Sequence, residues 1–188
     1  MNGINQIKYL SQRDPQWAMV KMGTSQTTLG AKGCLVTDLS MLTDYFGCYQ
    51  TPAQIAQNSK NFQNDNLNWI ALDFPTFSFR AELNNPFETA PVDMNIVKAW
   101  IEDPSDINKA DRAVILEVSN HTHWVLPLWY TATGDILAID PWIGKTCNVF
   151  EDYHNVTNAA LFVRWDKTKH GGKQAWQGQG NPQAPLYN

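Results

Sequence analysis

The second half of the chain is its strongest constraint. From Ala113 onward the runs AVILEV, HWVLPLWY, DILAIDPW, TCNVF and AALFVRW follow one another, short, β-rich and separated by turn residues such as TATGD. Helical patterns precede them. Cys34 to Phe46, CLVTDLSMLTDYF, places Leu35, Leu39, Leu42 and Phe46 on one helical face, with Thr37, Ser40 and Asp44 elsewhere. Gly33 stands before this run and Gly47 ends it. A second helix opens at Thr51, with Pro52 at its first position and Gln54 completing a capping box. Asp93 to Asp103 reads as a third, with Ile96, Val97, Trp100 and Ile101 turned inward. Helices first and an antiparallel sheet afterwards is the α+β pattern.

The 188 residues suit one domain, expected over 1–167, followed by a Gly/Gln/Pro-rich tail over 168–188. Lys and Arg number 14 against 18 Asp and Glu, a net charge of −4 that argues against nucleic-acid or anionic-membrane partners. No apolar run approaches the roughly 18 residues of a membrane span, so a chain not embedded in membrane is expected. The first residues, MNGINQIKYLSQRDP, lack the basic and apolar segments of a signal peptide. Synthesis as a soluble cytoplasmic chain is expected, and action outside the cell then requires release by lysis or carriage in a virion. The oligomeric state is left open.

Cys34, Cys48 and Cys147 form no CxxC pair, so neither a disulfide framework nor a structural zinc site is expected. Cys34 sits where a helix begins, and first-turn amides together with the helix dipole favour a thiolate there. Gly33 beside it removes a side chain and lets a substrate backbone approach. Cys34 is therefore the candidate nucleophile, expected to alkylate faster than Cys48 or Cys147 and at lower pH. A zinc set of Cys34, His121 and His123 matches no established spacing.

His123 begins the strand HWVLPLWY, and Asp140 lies near the end of the next, DILAIDPW. If TATGD sets Tyr130 opposite Asp135, then His123 faces Trp142 and Asp140 is its diagonal neighbour on the same face. Diagonal neighbours are roughly 7–8 Å apart at the backbone, within reach of an imidazole–carboxylate hydrogen bond. A slip of one residue would put them on opposite faces. His121 shares the parity of His123, but follows Asn120 in what reads as loop.

These blocks, SQRDPQW, LGAKGCLVTDLSML, HWVLPLW and IDPWIGK, resemble papain-like cysteine peptidases across most of residues 9–165. The branch they resemble is the bacteriocin-leader peptidases, including free-standing homologues of bacteria and phages. The resemblance implies a papain-like α+β fold, with Cys34 as nucleophile, His123 as base and Asp140 as its orienter. Gln12 is the implied oxyanion-hole residue. It stands 22 positions before Cys34, so the chain between must loop out and return.

Such a triad attacks an amide carbonyl through a thioester and calls for no metal or organic cofactor. Trp124, Trp129 and Trp142 are candidates to wall a substrate groove. The implied substrate is a peptide, with cell-wall peptidoglycan first. An intracellular or leader-processing peptidase comes next, and a catalytically silent binding module third.

Overall fold

The computed structural model describes residues 7–83, 92–102 and 112–164, and the tail expected over 168–188 lies outside them. Two helices, α1 (Leu29–Lys32) and α2 (Cys34–Tyr45), are separated only by Gly33, and α3 (Pro52–Gln57) follows. A small hairpin of β1 (Phe62–Gln63) and β2 (Asn66–Leu67) precedes β3 (Phe77–Glu82) and α4 (Met94–Glu102). Strands β4 (Arg112–Val118), β5 (His123–Tyr130), β6 (Ile136–Asp140) and β7 (Lys145–Asn148) run as a meander, and α5 (Val149–Tyr153) leads into β8 (Val156–Arg164). The chain is α+β. No helix among the described residues is long and apolar enough to cross a membrane.

Six strands form one antiparallel sheet in the order β3-β8-β4-β5-β6-β7. The run AVILEV in β4 shows no polar alternation because both faces of the sheet are covered. Ile115, Leu126, Ile139 and Phe162 point to one face and join Leu39, Leu42 and Phe46 of α2. Val114, Leu116, Val125, Ala138 and Leu161 point to the other and join Val97 of α4 and Val149 of α5. The alternation is between two cores rather than between core and solvent.

The same enclosure corrects the reading of α2 as one-faced. Thr37 and Ser40 are buried along with Leu39 and Leu42, so solvent reaches little of this helix. The capping box at Thr51 is formed: its hydroxyl accepts from the Gln54 N–H at 3.2 Å, and Gln54 Oε1 accepts from the Thr51 N–H at 2.8 Å. Ile96 on α4 is exposed, because the helix turns Val97 fully inward instead. Val149 and Phe150 leave the strand expected for TCNVF, since Asn148 Oδ1 accepts the Glu151 N–H at 3.1 Å and starts α5.

Burial pushes Glu82 on β3 up to about 7, helped by the charge of Glu117 and opposed by hydrogen bonding from Asn158. A carboxyl raised above its unfolded value of about 4.3 contributes stability that is complete below that pH and lost as pH rises through 7. Glu82→Gln is therefore expected to stabilise the fold by about 2 kcal/mol at pH 8, after discounting for partial exposure, and not at pH 4. Urea unfolding at the two pH values measures the difference.

Candidate active site

The β5–β6 hairpin brings His123 to Asp140 by a route the sequence shows only in part. Near the turn the register differs by one from expectation: Tyr130 pairs with Ile136, not Asp135, and Trp129 with Leu137. A bulge between Pro127 and Trp129 then absorbs one residue, so Pro127 pairs with Ala138 and Leu126 with Ile139. That is the register expected at the site end. Pro127 has no N–H to give a ladder, and the paired stretch of β4 and β5 ends at Val125, so the proline breaks nothing there.

His123 Nε2 and Asp140 Oδ1 are 2.7 Å apart. Two further donors hold the same carboxylate: the Trp142 N–H reaches Oδ1 at 2.8 Å, and the Tyr153 hydroxyl reaches Oδ2 at 2.7 Å. Burial works to raise the Asp140 pKa, but hydrogen bonds from His123, Tyr153 and Trp142 outweigh it and hold the carboxyl below its ordinary value. Asp140 is a fixed negative charge. Because it accepts from Nε2–H, the lone pair of His123 is left on Nδ1.

Cys34 opens α2, and its N-cap Gly33 offers no side chain to the first-turn amides. Backbone N–H groups of Trp124, Leu35 and Cys34 itself favour the thiolate. Trp124 directly follows His123 at the start of β5, and both line the same cleft as Cys34. Burial nonetheless pushes the thiol up to about 12, and the Asp38 carboxyl adds to the effect. This reverses the expectation of a lowered Cys34, since desolvation here exceeds what the amides return. Cys48 and Cys147 are raised by burial too, Cys147 to about 12.

Cys34 and His123 line one cleft of about 710 Å³, together with Gln12, His121, Trp124, Trp142 and Tyr153. Gln12 is anchored by its N–H to Pro141 O at 2.7 Å. Its Nε2 donates to Leu29 O and Gly30 O, both at 3.3 Å, while Oε1 is buried without a partner among the described residues. The intervening chain loops out and returns through a bridge of Lys21 with Thr28 and bonds from the Leu29 and Gly30 N–H groups to Val20 O and Ala18 O.

Four other sequence candidates take different places. Gly33 is buried, and a Cβ there would lie 2.5 Å from Leu29 O, so what its missing side chain admits is Leu29. Trp142 is 42% exposed at the cleft, with the Arg13 guanidinium 4.6 Å from its ring, and Trp124 packs edge-on to Trp69. Trp129 is carried toward the far end of β5, beside the hairpin turn.

His121 lies in the β4–β5 turn, the last of three successive residues with φ between 52° and 66°. Its Nδ1 is 2.6 Å from Glu117 Oε2.

Sequence reasoning missed Tyr153, Glu117 and Asp38. Tyr153 reaches Asp140 only because α5 folds back beneath β6, and no local pattern announces that. Asp38 is buried on a helix whose enclosure comes from the assembled layers, so no local pattern marks it. No protein-family model, curated protein or solved structure matches this chain, so the chemistry of the cleft is argued from its own geometry.

Proposed function

We propose that this chain is a papain-like cysteine peptidase that hydrolyses amide bonds with Cys34, His123 and Asp140. The observation that carries the reading is the 2.7 Å His123–Asp140 pair sharing a cleft with a cysteine at a helix N-terminus. A nucleophile helix packed on an antiparallel sheet that carries base and orienter supports the papain-like form.

In this mechanism His123 Nδ1 takes the Cys34 proton as the sulfur attacks the carbonyl carbon. The raised thiol pKa suits proton transfer concerted with attack rather than a standing thiolate. The backbone N–H of Cys34 and Nε2 of Gln12 stabilise the oxyanion, Gln12 by giving up one of its 3.3 Å bonds to Leu29 or Gly30. His123 returns its proton to the leaving amine, and a thioester remains. Water, deprotonated by Nδ1, then releases the acid and restores the thiol.

Gln12→Ala is expected to lower kcat by about 100-fold with little change in KM, the signature of a donor used in the transition state. Steady-state kinetics on any cleaved peptide checks this. A rise in KM alone would assign Gln12 to substrate binding.

The substrate we propose is the peptide portion of peptidoglycan, with Trp124 and Trp142 walling the cleft. Purified peptidoglycan is incubated with the protein and with Cys34→Ala across roughly pH 5–9, the span over which a Cys–His pair titrates. Mass spectrometry of the released fragments is expected to show new amino termini in stem or bridge peptides, absent from the control. Release from protein substrates only would redirect the reading to an intracellular or leader-processing peptidase. No hydrolysis of either would leave a binding module.

A further inference from the structure

Asp38 lies one turn beyond Cys34 on α2, is completely buried, and neither of its carboxyl oxygens has a hydrogen-bonding partner among the described residues. The mechanism above does not use it. An ion buried without a partner costs several kcal/mol, so a carboxyl in this position is retained uncharged.

Its ionisable neighbours give no relief. The ionisable groups whose charge bears on it are Cys34 on α2 itself, Asp140 on β6 and, in the core across the sheet, Cys147 on β7. Other elements also pack on α2. Of these, α3 carries no ionisable side chain, and Lys32 of α1 is exposed, 3.8 Å from Asp65. On β4, Glu117 is held by His121, and Arg112 stands at the other end of the strand beside Val163. On β5, His123 is held by Asp140, and Tyr130 is at the hairpin end.

We propose that Asp38 is a positioning residue for the nucleophile: carried as a neutral acid it leaves α2 able to accept a developing thiolate, and its ionisation bars one. Its catalytic meaning rests on the peptidase reading. Charge counting gives the reason. Asp140, with three donors, is already negative, and His123, which it holds, is the imidazole that the proposed mechanism sets against a developing Cys34 thiolate. A charged Asp38 would be a further anion beside the thiolate, fully buried and with no partner among the described residues. Burial first and Asp140 second push Asp38 well above the usual carboxylate range. The part of the Cys34 shift that comes from Asp38 operates only when Asp38 is charged.

The test is site-resolved alkylation with iodoacetamide, followed by mass spectrometry of the Cys34 peptide from roughly pH 6 to pH 9.5. Wild type and Asp38→Asn are expected to react at equal rates near pH 6. By about pH 9 the variant is expected to be about tenfold faster, one pKa unit of relief. Superimposed profiles, or a variant already tenfold faster at pH 6, would overturn the proposal.

Carbon-13 NMR of wild-type protein labelled at its aspartate carboxyls supplies a second readout that does not depend on the variant folding. One carboxyl resonance is expected to keep its neutral-acid position at pH 7, and a spectrum with every aspartate ionised there overturns the proposal. Neither measurement requires turnover. Failure of the peptidase assays and failure of this proposal are therefore separate outcomes.

Discussion

On the proposed peptidase reading, Cys34→Ala is expected to yield a folded protein whose amide hydrolysis falls by about 10⁴-fold or more, the scale on which losing a covalent nucleophile is felt. The fold survives because alanine is the strongest helix former and the position is the first turn of α2. The loss of one small buried side chain costs about 1 kcal/mol. Backbone contacts around the sulfur come from residues whose own places do not depend on it: Trp124 is set by the β4–β5 ladder through its pairing with Glu117. Circular dichroism and urea unfolding establish the fold, and peptide release establishes the loss. Hydrolysis at the wild-type rate by a folded Cys34→Ala protein would end the peptidase reading.

Asp140→Ala is expected to damage both activity and stability, and Asp140→Asn much less of either. Alanine strands three donors that now converge on the carboxylate, from His123, Trp142 and Tyr153. Breaking a buried charged network of this kind costs about 3 kcal/mol. Activity is expected to fall by about 10⁴-fold, because the imidazole is no longer held in the tautomer that leaves Nδ1 free. Asparagine keeps an oxygen for His123 and Trp142 and turns its amide toward Tyr153, whose hydroxyl then accepts, so a fall of about 10–100-fold is expected.

The pH dependence has a definite sign. A carboxyl held below its unfolded value of about 3.9 contributes stability above that pH and loses it as pH falls through the folded value. The stability gap between wild type and Asp140→Ala should therefore narrow below about pH 4. A gap that stays constant to pH 2 would mean that the carboxylate charge holds nothing together.

What the sequence makes legible is local. The apolar spacing of α2, the cap at Thr51 and the hairpin around TATGD are each set by neighbours a few residues apart, and each forms. Spacing predicts the His123–Asp140 pairing, although the register at the turn differs by one residue from the expected one and a bulge at Pro127, which spacing alone does not reveal, restores it. What stayed hidden is non-local. Nothing near Phe77 announces that it pairs with Arg164, and nothing near Tyr153 announces Asp140. The environment of Cys34 failed for the same reason: its ionisation is governed by how deeply the sheet encloses α2, a property of the assembled layers.

The place of β8 between β3 and β4 bears on the order in which a ribosome delivers this molecule. Cys34 emerges early and the His123–Asp140 hairpin later, yet β4 has no partner on its outer side until residues 156–164 are out. At roughly 5–20 residues per second, Cys34 waits about 6–26 seconds for the strand that closes the sheet. Such long-range pairing is also slow to find. A nascent chain therefore carries Cys34 without a finished cleft, and whatever chemistry the cleft performs begins only once synthesis has passed β8.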